Sequence, residues 1–64
     1  MREYRVIPDG DEWVLEYPPS LHAKNRNFLA SKAVRLMRQE TGPRKLTVLD
    51  QYGNVEHEII EGVE

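Results

Sequence analysis

An α+β fold follows from three features of the sequence: paired stretches of alternating apolar and polar residues, one stretch with apolar residues at helical spacing, and a second alternating pair after it. The order strand, strand, helix, strand, strand predicts a two-layer sandwich, ββαββ. One amphipathic helix covers a four-stranded, mainly antiparallel sheet. Residues 1–64 read as one small domain, because no linker, internal repeat or low-complexity tract interrupts them.

The first strand pair rests on Tyr4 and Val6, then Trp13, Leu15 and Tyr17, interleaved with Glu3, Arg5, Glu12, Val14 and Glu16. Between them Pro8-Asp9-Gly10-Asp11 reads as a hairpin turn. A two-residue Asp9-Gly10 loop asks Pro8 for a backbone donor it lacks, so a four-residue loop from Pro8 to Asp11 is expected, with Val6 beside Trp13 and Ile7 opposite Glu12. Pro18-Pro19 ends the second strand, and a polar connection runs from Ser20 to Asn27.

At 100° per residue, Leu29, Ala30, Ala33, Val34, Leu36 and Met37 share one side of a helix, and Ser31, Lys32, Arg35, Arg38 and Gln39 the other. Asn27 is the favoured N-cap by residue type, with Ser31 as a second candidate. Gly42-Pro43 stops the helix, with glycine in the left-handed position and proline unable to continue. Leu46 and Val48, then Val55 and Ile59, form the last strand pair around Asp50-Gln51-Tyr52-Gly53-Asn54, where aspartate and glycine suit the first and fourth positions of a type I turn.

Apolar residues make up 39% and charged residues 31%, a balance that argues for a folded chain over a disordered one. There is no cysteine, which excludes a disulfide scaffold and thiol chemistry. No apolar run approaches the roughly 20 residues of a membrane span, and Met1-Arg2-Glu3-Tyr4 lacks the apolar segment of a signal peptide. The expectation is a soluble, unprocessed protein of the cytoplasm with no membrane partner.

Charge is polarised along the chain. From Leu21 to Lys45 the cations Lys24, Arg26, Lys32, Arg35, Arg38, Arg44 and Lys45 face one acid, Glu40, a balance of 7 − 1 = +6. The remainder has Arg2 and Arg5 against ten acids, 2 − 10 = −8. A basic helix side and an acidic sheet side are expected. Lys32, Arg35 and Arg38, flanked by Lys24 and Arg26, are candidate binding residues for phosphates or an acidic protein; a solvated helix face is the plainer reading of the same residues. On the sheet's far face, Ile7, Val14 and Leu49 form a candidate apolar centre within a rim that includes Glu16, Glu56 and Glu58, the anatomy of an interaction patch and a candidate homodimer face.

Little supports chemistry. His22 and His57 stand apart without metal-ligand spacing, so no metal and no cofactor is expected; His57 reads as a structural histidine alternating with Val55 and Ile59, and His22 as exposed. Asp9-Gly10-Asp11-Glu12 lacks the rest of a calcium loop, and neither Ser20 nor Ser31 has a nucleophile motif. No enzyme and no catalytic residue is expected. Trp13 and Tyr17 share the core face and read as packing, whereas Tyr52 at a turn tip is free to meet a partner.

The segments Tyr4-Arg5-Val6-Ile7-Pro8, Trp13-Val14-Leu15, Phe28-x-Ala30-x-x-Ala33-Val34 and Val48-Leu49-Asp50-x-x-Gly53 together resemble a domain of unknown function, family 2188, of short prokaryotic and viral proteins. That resemblance spans almost the whole chain and implies a compact ββαββ domain with no assigned catalytic residue. Where the family more often carries a helix-capping threonine, this chain has Ala30. Trp13-Val14-Leu15-Glu16-Tyr17-Pro18 before a helix is also similar to small antitoxins with a degraded ribonuclease H fold, although the Gly-x-Thr expected there is missing. This second resemblance implies binding rather than catalysis. The sequence thus leads to a non-enzymatic module that regulates or inhibits a protein partner, with a nucleic-acid-binding accessory protein as the alternative.

Overall fold

Three strands, not two, precede the helix. The computed structural model describes residues 1–16 and 20–63. Its elements are β1 (Arg2–Asp9), β2 (Glu12–Glu16), β3 (Leu21–Ala23), α1 (Arg26–Gln39), β4 (Arg44–Leu49) and β5 (Val55–Glu61). The strands form one mixed sheet in the order β3-β2-β1-β4-β5. Neighbours are antiparallel except β1 and β4, which run parallel, as the crossover through α1 requires. The fold is α+β as expected, with a fifth strand where a polar connection was read. Leu21 and Ala23 pair with Leu15 and Trp13, and three residues are too few for alternation to announce a strand.

The first hairpin is tighter than expected. Asp9 faces Glu12, so the loop is Gly10-Asp11, and the register places Val6 opposite Leu15 and Ile7 opposite Val14. This register is two residues from the expected one, and because side chains alternate with period two, every residue keeps its face. Gly10 takes φ +62°, the left-handed value that suits the first central position of a type II′ turn. Ladder alternation aims the nitrogen of Pro8 away from β2 and beyond the last β1–β4 pair, Val6 with Val48, so the missing donor breaks no bond.

The N-cap is Asn25, whose side-chain oxygen accepts from the Asn27 N–H at 2.9 Å; neither Asn27 nor Ser31 holds that position. Starting there places Leu29, Ala33 and Met37 on the buried face, with Ala30, Val34 and Leu36 packed beside them. Glu40, extended at φ −95°, caps the C-terminus and donates its N–H to the Met37 carbonyl. Gly42 is left-handed at φ +83° but lies beyond the cap, where it turns the chain into β4.

Tyr4 and Val6 of β1, Leu15 of β2 and Leu46 and Val48 of β4 meet the helix in one core, each at most 4% exposed. Trp13 is half-buried at its edge, consistent with a packing role. Tyr17, Pro18 and Pro19, read as a core residue and a strand terminator, lie outside the described residues. The second hairpin turns at Asp50–Gly53 as expected. The Gly53 N–H donates to the Asp50 carbonyl, and Asp50 Oδ1 accepts from the N–H groups of Tyr52 and Asn54. Among the described residues no helix is long and apolar enough to cross a membrane.

Candidate interaction site

A helix about 10–12 Å across is narrower than five strands spaced about 4.8 Å apart, so one helix cannot roof a five-stranded sheet. Here α1 packs over β3, β2, β1 and β4, and only the side chain of Arg26 at its start reaches β5. The consequence is a groove of about 270 Å³ between α1 and β5, with Ala30 and Val34 on the helix wall, Leu46 and Val48 on the floor, and His57 and Ile59 on the strand wall. Every residue of β5 from Val55 to Ile60 is exposed, and Val55, Ile59 and Ile60 stand among the exposed large apolar side chains.

This departs from the expected core strand of Val55 and Ile59, and a bulge accounts for part of the difference. Val48 pairs with His57 but Leu49 pairs with Val55, so Glu56 is an extra residue in the ladder. Past the bulge the faces exchange: Val55 joins Leu49 on the far face, and Glu56 leaves the rim to which the sequence assigned it. Ile59 stays on the helix side, opposite Leu46, but has no helix above it. His57 lies on the same side and is exposed, not packed in a core.

Glu56 is held by Arg26 from the first turn of α1. The guanidinium donates to both carboxylate oxygens at 2.9 and 3.0 Å, donates to the Leu49 carbonyl at 3.3 Å and lies 5.3 Å from the centre of the Trp13 ring. This bidentate bond is the main reason the Glu56 carboxyl sits below its ordinary value; its charge-charge attraction to Arg26 acts in the same direction, and desolvation opposes both. The same bond raises Arg26. Arg26 is therefore committed inside the fold and drops out of the expected basic stripe.

Lys24, Lys32, Arg35 and Arg38 remain exposed, and among the described residues none of them forms an ion pair within the ion-pair distance. Lys32 and Arg35 border a shallow depression with Ser31 and the exposed ring of Phe28. Phe28 was not among the candidate binding residues of the sequence, although the helical period already places it with Arg35 and away from Leu29 and Ala33.

The far face of the sheet is less open than expected. Val14 is only 8% exposed, and Ile7 and Leu49 are half-buried. On the same face Arg5 pairs with Glu16 at 3.3 Å and Lys45 with Glu58 at 3.5 Å. Exposed apolar surface on this face lies instead at Val55 and Ile60, on the β5 margin. The signal for it was the consecutive pair Ile59-Ile60, which places an apolar side chain on each face of one strand.

His22 lies 3.8 Å from Asp9 on the surface, and among the described residues no group of three or more histidine, aspartate or glutamate side chains gathers as a metal site. Tyr52 projects from its turn, 78% exposed. Comparison of the chain with protein-family models, curated proteins and solved structures returns no match.

Proposed function

We propose that this chain is a non-enzymatic binding module for a protein partner, and that the partner docks in the groove between α1 and β5. The observation that carries this reading is the helix body stopping short of β5, which leaves a channel whose apolar residues Ala30, Val34, Leu46, Val48 and Ile59 are joined by Ser31, His57 and Glu58. Beyond Ser31, on the outer face of the same helix, Lys32, Arg35 and Arg38 have no ion-pair partner among the described residues. The apolar floor and these cations together suit a segment with one or two apolar anchors beside carboxylates. Such a partner would be regulated or inhibited by being occupied.

Selection of a displayed random-peptide library on the wild-type protein tests this. Enriched peptides combine apolar and acidic residues, and they lose binding to Val34→Asp and to an Arg35→Glu, Arg38→Glu double variant. Peptides indifferent to both variants, or no enrichment, would reject the groove.

A second reading is favoured by one observation, the exposed ring of Phe28 beside Lys32 and Arg35. An aromatic face next to unpaired cations suits a nucleic-acid strand, with the ring stacking on a base and the cations on phosphates. Neutralising three phosphates gives a loss of about 20- to 40-fold in affinity between 50 and 200 mM salt. Absence of oligonucleotide binding at the lower salt removes this alternative.

A further inference from the structure

We infer that β5 is a pairing edge for a second copy of this chain, with a two-fold axis at Ile59. The sheet has two edges, and only one is guarded. β3 is three residues long, lies beneath α1 and is followed by Lys24, all devices that discourage strand addition. β5 is seven residues long, is not covered by the helix and has no lysine or proline. Its glutamates do not guard it either, because each has a cation of its own chain: Glu56 has Arg26 at 2.9 Å, Glu58 has Lys45 at 3.5 Å and Glu61 has Arg44 at 3.8 Å.

The strand's own limits choose the register. The bulge at Glu56 ends the regular ladder on one side, and Gly62, left-handed at φ +74°, ends it on the other. Between them run His57 to Glu61, centred on Ile59. Antiparallel pairing about an axis perpendicular to the sheet keeps both helices on one face and allows only registers in which residues of the same face meet. Centred on Ile59, it sets Ile59 against the partner's Ile59, His57 against the partner's Glu61 and Glu58 against the partner's Ile60. Centred on Glu58, it sets two like carboxylates against each other, which opposes pairing. Centred on Ile60, it uses only Ile59 to Glu61, three of the five residues of the regular segment. The Ile59 register alone uses the whole segment, buries the two exposed isoleucines and leaves no like charges directly opposed.

The product is a continuous ten-stranded sheet with a helix over each half and the two α1–β5 grooves side by side. This goes beyond the groove's use by a foreign partner, and the two are separable: peptide selection reports the groove, whereas the following measurements report the edge. A five-residue edge buries less than the roughly 800 Å² per partner of a standard interface, which places the dimer at the weak, concentration-dependent end.

Sedimentation equilibrium from about 10 μM to about 1 mM should therefore show the mass rising from 7.5 kDa toward twice that value. Ile59→Lys and Ile60→Lys should each weaken association at least about tenfold; Ile60 is 52% exposed, so its variant retains the fold if Ile59→Lys does not, as circular dichroism will show. The chain has no cysteine, so single-cysteine variants read the register directly. Opposed Cα atoms in an antiparallel pair lie about 4.5–5.5 Å apart, within disulfide range. With oxidised glutathione, Ile59→Cys should cross-link faster than the collision control Phe28→Cys. His57→Cys should cross-link with Glu61→Cys in a mixture faster than either does with itself. A mass of 7.5 kDa at all concentrations, or Ile59→Cys no faster than Phe28→Cys, overturns the inference.

Discussion

The two margins of this sheet are built on opposite principles. β3 is short and tucked under α1, with Leu21 and Ala23 packed against the core. β5 is more than twice as long, and its apolar side chains face solvent on both sides. The β3 half is stabilised by burial between two layers, and the β5 half by a single ladder to β4 and by fastenings at its two ends. At one end Arg26 reaches from the helix to Glu56; at the other Gly62 packs on the backbone of Gly42. A small chain with one helix has too little second layer for five strands, and the strand it leaves bare is where exposed apolar surface accumulates.

The sharpest test of this division is a pair of truncations. Leu15 on β2 is 1% exposed beneath the helix, so Leu15→Ala removes buried atoms and leaves a cavity, a loss of about 3 kcal/mol. Ile60→Ala on β5 removes side-chain atoms that are already half in water, and its cost is under about 1 kcal/mol. Urea denaturation at micromolar concentration measures both. Equal losses would show that β5 is held by burial after all.

Sequence alternation was enough to place Tyr4, Val6, Leu15, Leu46 and Val48 on one face and Ile7, Val14 and Leu49 on the other. It withstood a wrong hairpin register because an even shift preserves faces. It failed wherever the answer depended on a three-dimensional extent. Nothing local distinguishes Ile59, opposite Leu46 but uncovered, from Leu46 itself; the difference is how far a helix reaches. The bulge at Glu56 was invisible for a related reason: one unpaired residue changes no composition, yet it reverses Val55 and removes Glu56 from the rim. Arg26 was read as one more cation in a stripe because its partner lies thirty positions away. Phe28 and the consecutive Ile59-Ile60 were legible from period alone and are the positions a sequence reading should have marked.

The fastenings predict intermediate effects. At Gly62 a side chain is doubly opposed: φ is +74°, and a Cβ would overlap the Gly42 carbonyl. Gly62→Ala should cost about 2–3 kcal/mol. Gly10→Ala has the same backbone penalty in open space and should cost roughly 1 kcal/mol. Thermal unfolding of the two variants separates close packing at the end of β5 from turn geometry alone. If the two shifts are the same, the Gly42 contact does not anchor the strand.

The smallest effect belongs to the other fastening, and pH isolates it. Glu56 titrates below its ordinary value of 4.5 because Arg26 binds the charged carboxylate. A carboxyl lowered by folding stabilises the fold above its unfolded pKa and loses that contribution as pH falls through the folded one. Wild type should therefore exceed Glu56→Gln in melting temperature at pH 7, with the gap closing as pH falls below 4.5. Because both groups are partly exposed, salt should also narrow the gap at neutral pH. The loss should be local as well as small, since Arg26 spans a margin that the helix does not otherwise cover: amides of β5 should exchange faster in Glu56→Gln while those of β1 and β2 keep wild-type protection. Uniform acceleration across the sheet would mean that the ion pair supports the core, and that the two margins are not independent.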